Sequence, residues 1–177
     1  MLRVLSRRPD LVTATHIALY LSAIITANLI VAHAGPEASV ITAFFLVGLN
    51  FTVLDRLHDR WRGPHLLTRM ATLIGAGSAL SYLLNHTAGQ LGVASFVAFL
   101  VSNLVDRGVY ALLIRWPRWR RCNWSNLAST ATDSILFPSL AFGWPPDPGI
   151  VQGQFLAKLA GAMLWSLILL PREETPQ

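Results

Sequence analysis

The sequence predicts an all-α integral membrane protein with six transmembrane helices and both termini cytoplasmic. Three observations lead there. Of 177 residues, 53% are hydrophobic and only 13% are charged, with a mean hydropathy of +0.48; a soluble domain carries about 25% charged residues. The apolar residues fall in long blocks separated by short basic or Pro/Gly-rich pieces, and a spanning helix needs roughly 20 of them. Basic residues occupy every second junction, the pattern that orients helices in a bilayer. This composition excludes a disordered chain, a disulfide scaffold and an ordinary soluble enzyme. Six spans use about 120 residues, leaving no room for a soluble domain, so residues 1–177 are expected to form one membrane domain.

The first span is placed at 11–32. Arg3, Arg7 and Arg8 precede it, as in a signal peptide, but its apolar run of about 22 residues exceeds the 7–15 of a signal core, so it is read as a retained span. Gly35-Pro36 ends it. The second span, 38–57, closes in Asp55-Arg-Leu-His-Asp-Arg-Trp-Arg-Gly63-Pro64. The third, 66–84, stops at Asn85-His86. The fourth, 91–114, stops at Trp116-Pro117. The fifth, 124–143, stops at Trp144-Pro145-Pro146, and the sixth, 150–170, at Pro171. Proline cannot continue a helix and glycine relaxes the turn, which is why both punctuate these junctions.

The charge count supports six. Arg3, Arg7 and Arg8 lie before span one. Arg56, Arg60, Arg62 and Arg69 lie between spans two and three. Arg115, Arg118, Arg120 and Arg121 lie between spans four and five, and Arg172 follows span six. The three alternate junctions hold no Lys or Arg. Five or seven spans would break the alternation. Trp61, Trp116, Trp119, Trp124 and Trp144 fall at expected interfaces, where amphipathic indoles belong. The net charge of +5 is thus read as membrane orientation. Nucleic acid is not expected as a partner, because no basic groove interleaved with aromatics is visible. Cys122 is the single cysteine, and neither a metal nor any other cofactor is expected.

An ionisable group near the centre of a span costs about 2.5–3.5 kcal/mol on insertion scales, so it faces a partner or a cavity. Asp133 falls mid-span five, Lys158 mid-span six, and Asp106 toward the cytoplasmic end of span four. Ser95, Ser102 and Asp106 follow one helical stripe; Asn126, Ser129, Thr130 and Asp133 follow another; Gln154 and Lys158 are i, i+4. Asn28 lies one turn from the outer end of span one. These stripes predict a polar interior lined mainly by spans one, four, five and six. The structural alternative is a network of ion pairs and hydrogen bonds that only glues helices together. One lysine cannot neutralise two carboxylates, so the second must stay protonated, pair with Arg107 or meet a substrate. A carboxylate suits a purine-like ring, since it accepts two N–H bonds from an amidine edge, while Asn and Gln read a carbonyl and a ring nitrogen. Asp55 and Asp59, at i, i+4 near the cytoplasmic face, are read as a solvated ion-pair cluster or a gate. Gly75, Gly77, Ser78 and Ser81 on span three read as close helix packing. No phosphate-binding loop occurs, so the chain itself is not expected to hydrolyse ATP, and no enzymatic activity is expected.

Three segments carry a resemblance: Gly92-Val-Ala-Ser-Phe-Val-Ala-Phe-Leu-Val-Ser-Asn-Leu-Val-Asp106, Ser125 to Phe137 with Leu140-Ala-Phe-Gly143, and Gln154 to Lys158. With Asp55, Asp59, Trp61 and Gly63 as a fourth motif, the chain resembles the VUT family, the queuosine-precursor transporters, over about residues 10–170. Leu54 stands where that family usually has Thr. The resemblance implies a six-helix inner-membrane protein importing 7-cyano-7-deazaguanine or a related deazapurine for tRNA or DNA modification. The substrate-binding residues expected are Asn28, Asp106, Asn126, Asp133, Gln154 and Lys158, with Phe96, Phe99 or Phe137 stacking on the base. The alternative is a substrate-capture subunit of an ATP-driven vitamin or base uptake system.

Overall fold

A computed structural model describes residues 7–169 apart from Arg62 and Pro64, with their side chains except those of residues 7–10, Asp59, Leu67, Arg118, Trp119 and Cys122. Among the described residues there is no strand. The chain forms α1 (Arg7–Ala34), α2 (Ala38–Thr42), a π-helical turn (Ala43–Val47), α3 (Gly48–Arg60), α4 (Leu66–Leu84), α5 (His86–Leu112), α6 (Arg118–Phe142) and α7 (Pro148–Leu169). α2, the π turn and α3 run on without a break, so the described elements make six helical rods. Three of these are long and apolar enough to cross a membrane: Leu11–Ala34, Ala38–His58 and His86–Leu112. α4, α6 and α7 carry Arg69, Asp133 and Lys158 within their lengths.

The boundaries differ from the sequence expectation where capping decides them. α5 begins at His86, not 91, because the Asn85 carboxamide oxygen accepts from the backbone N–H of Thr87 (2.8 Å) and Ala88 (3.1 Å). That satisfies two of the donors a helix start leaves open. α6 begins at Arg118, not 124. Pro117 stands just ahead of it, and its carbonyl accepts from the N–H of Arg120 (3.0 Å) and Arg121 (3.2 Å). The arginine cluster of this junction is therefore helical rather than loop. Arg121 folds back on α5, its guanidinium 4.3 Å from the Tyr110 ring centroid and hydrogen-bonded to the phenol at 2.7 Å.

The π turn has no sequence signal. A π turn lengthens the hydrogen-bond ring and leaves the regular carbonyl ladder out of step. Trp165 of α7 donates its indole N–H to the Phe45 carbonyl at 2.8 Å. The same two rods cross without side chains between them: a Cβ on Gly161 would lie 2.1 Å from the Phe44 carbonyl oxygen, and one on Gly48 2.6 Å from the Gly161 backbone. On the other flank, Gly92 meets Ser78 and Gly77 meets Ile24. The expected close packing of α4 thus holds at Gly77 and Ser78 but not at Gly75, which has open space beside it.

A buried apolar cluster joins α1, α3 and α4 through Tyr20, Ala23, Leu49, Val53, Leu57, Leu73 and Ile74. Outside it the usual distribution inverts. Leu83, Leu112, Trp144 and Leu167 are exposed, while Asn28, Asn50, Asp133, Gln154 and Lys158 are buried. An apolar shell around a polar interior is what a lipid solvent favours.

Candidate functional site

The site begins with Lys158. The α-helical turn of about 3.6 residues puts Gln154 one turn before it on the inner face of α7, and both are almost fully buried. The ammonium has three N–H donors, and each finds an acceptor: Asp133 Oδ2 at 2.8 Å, Gln154 Oε1 at 2.9 Å and Ser134 Oγ at 3.3 Å. Gln154 passes the network on by donating from Nε2 to Ser39 Oγ at 2.8 Å. Ser39 in turn donates to the Pro36 carbonyl. One chain of bonds thus ties α6, α7 and α2. The Phe137 ring lies 6.0 Å from Lys158 Nζ. α6 carries Pro138 in its interior. Proline has no N–H, so the carbonyl of Ser134 loses its helical partner next to the ion pair.

Two cavities flank this pair. One, of about 60 Å³, lies toward the end of the bundle where the junctions lack arginine. Asn28, Ser39, Asn50, Tyr20, Phe51, Phe99, Phe137 and Gln154 line it. The other, of about 330 Å³, lies toward the basic end and is bordered by Asp55, His58, Asp106, Arg107, Asn126, Ser129 and Thr130. Asp133 and Lys158 line both. The ion pair, with Phe51, Leu54 and Phe99, is a partition between them.

The six residues expected to bind substrate therefore do not share one chamber. Asn28 and Gln154 face the small cavity, Asp106 and Asn126 the large one, and Asp133 and Lys158 both. Asn28 donates to Ser81 Oγ at 3.0 Å. Asn126 is exposed. Lys158 takes Asp133 as its partner, and the Oδ1 atom of Asp106 is buried without a hydrogen bond among the described residues. Arg107 borders the same cavity as Asp106. Asp55 stands at the mouth of the large cavity, and the side chain of Asp59 lies outside the described residues. Of the stacking candidates, Phe99 and Phe137 line the small cavity; Phe96 and Phe99 both pack against the apolar cluster, and Phe96 does not reach the cavity.

The expected lining by spans one, four, five and six needs correction. The second rod contributes Ser39, Thr42, Val47, Asn50 and Phe51 to the small cavity. Asn50 was visible by the criterion that singled out Asn28, a carboxamide within an apolar run. The others carry no signal, because short hydroxyl and aromatic residues are ordinary in such runs.

An apolar exterior, a polar interior and two cavities parted by a buried ion pair define a multi-pass helical membrane protein of the transporter kind. The chain matches the family described as "Putative vitamin uptake transporter" over residues 11–171, and it belongs to that family. No curated protein and no solved structure matches it.

Proposed function

We propose that this protein imports a queuosine precursor, 7-cyano-7-deazaguanine or a close deazapurine, across a plasma or inner membrane. All six rods span in this reading, with the arginine-rich end in the cytoplasm. The observation that carries the reading is the Asp133–Lys158 pair, buried between two cavities that lie toward opposite ends of the bundle. A guanine-type base presents on one edge a carbonyl acceptor, then a ring N–H and an amino donor. A lysine beside a carboxylate is the complement of that edge: Lys158 serves the carbonyl, Asp133 the two donors. The base replaces the partners that lysine and aspartate now offer each other, so binding opens the partition and the two cavities merge around it. The half-buried carboxylate of Asp106 and the exposed amide of Asn126, both on the large cavity, receive the base on the cytoplasmic side. Alternating access then follows from movement of helices about the buried site.

The test is uptake of labelled 7-cyano-7-deazaguanine in bacteria that neither make nor import it, with growth on limiting precursor as the second readout. Wild type is expected to restore both, and Asp133→Asn and Lys158→Ala to abolish both while reaching the membrane. Transport at the wild-type rate by both variants would remove the pair from the site. No uptake by wild type would remove the substrate.

A further inference from the structure

Among the described residues, no protein group bonds the Asn50 side chain. It is 4% exposed, and neither Nδ2 nor Oδ1 has a hydrogen bond among the described residues. The contrast with Asn28 is direct. Both are carboxamides lining the small cavity, but Asn28 is bonded to Ser81. A buried amide with both atoms unmade is costly and is kept only where something supplies the bonds. The cavity it lines also holds the Asp133–Lys158 pair and the rings of Phe51, Phe99 and Phe137. At about 60 Å³ it holds about four or five water-sized molecules, so a base enters it only as the partition opens.

We propose that Asn50 is a specificity-determining residue that binds the N3/N9–H edge of the base and so selects the free base over forms substituted at N9. This rests on the deazapurine reading above. Once Lys158 and Asp133 have taken the carbonyl, ring N–H and amino group, the free base has one further edge with an acceptor next to a donor: ring N3 and the N9–H. A carboxamide offers a donor next to an acceptor and fits that edge with two bonds. The side bearing the nitrile and the carbonyl offers only acceptors and would leave the Asn50 oxygen unpaired. A ribose or any other group on N9 removes the donor, so the nucleoside leaves a buried amide half-bonded and is rejected.

The test measures Kd for purified wild type, Asn50→Leu and Asn50→Asp with two probes of equal size. These are 7-cyano-7-deazaguanine and its furo[2,3-d]pyrimidine analogue, with an oxygen in place of N9–H. Wild type is expected to prefer the N–H probe by about tenfold or more, the loss that follows when one buried polar partner goes unpaired. Asn50→Leu is expected to bind the two probes equally and, freed of the unpaired amide, to melt no lower than wild type when empty. Asn50→Asp, which still accepts from N9–H but repels N3, is expected to bind more weakly with the preference kept. It carries the test alone should the leucine variant fail to fold. A preference retained in Asn50→Leu, or unchanged affinity in Asn50→Asp, overturns the assignment of Asn50 and leaves the transport reading standing. Failure of wild type to bind the free base overturns that reading, and this inference with it.

Discussion

At the residue scale, Asp133 and Lys158 are stable because each completes the other. Removing one member of a buried pair strands a charge, at a cost of about 3–5 kcal/mol, whereas replacing both with apolar residues of similar size is often neutral. Lys158→Met is therefore expected to lower the melting temperature of the solubilised protein sharply. Asp133→Leu combined with Lys158→Met is expected to restore the melting temperature but not uptake. A double variant as unstable as the single would mean that the surrounding hydrogen bonds, and not the charges, hold the helices here. Gln154 extends the same logic. Its side chain bridges Lys158 and Ser39, so Gln154→Leu leaves a lysine proton unbonded and takes from the Ser39 hydroxyl the bond it accepts, its own bond to Pro36 remaining. Thermal unfolding is expected to show a loss of about 1–3 kcal/mol.

At the element scale, α7 and the second rod approach backbone to backbone. Gly161 has no room for a methyl group against the Phe44 carbonyl. Gly161→Ala must push the rods apart, and overpacking of this kind costs about 1–3 kcal/mol. Because α7 carries Lys158 and the second rod carries Asn50 and Ser39, the same shift is expected to reduce uptake. An alanine variant with wild-type melting and uptake would show that this crossing is looser than the geometry states. The start of α5 offers a milder check. Asn85→Ala removes both capping bonds and is expected to cost about 0.5–2 kcal/mol, seen as a lower melting temperature with uptake retained, since Asn85 lies away from both cavities.

At the scale of the whole molecule, the proposed orientation rests on the arginines. Arg56, Arg60, Arg107, Arg115, Arg120 and Arg121 gather at one end of the bundle, and the junctions at Gly35, Asn85 and Gly143 occupy the other. With that basic end held in the cytoplasm, a fluorescent protein fused after Gln177 is expected to glow. Alkaline phosphatase fused near Gly35, Asn85 or Gly143 is expected to be active on the outside. The opposite result at two junctions would invert the reading of which cavity faces which compartment.

Much of this was legible in order along the chain. The apolar blocks, the proline and glycine breaks and the alternating arginines mark out rods because length and solvation are local properties. Asp133, Lys158 and Gln154 stood out for a related reason: lipid makes an unpartnered polar group expensive, so each one signals an inward face. What no local pattern encodes is who meets whom. That Lys158 pairs with Asp133 and not Asp106, that the predicted residues divide between two cavities, and that no described protein group bonds Asn50 were all settled by how the rods pack. Those outcomes depend on side chains from α2, α3, α6 and α7 converging across long stretches of sequence. A π turn and a pair of facing glycines let the second rod and α7 meet backbone to backbone, at positions where the sequence shows nothing but apolar and small residues.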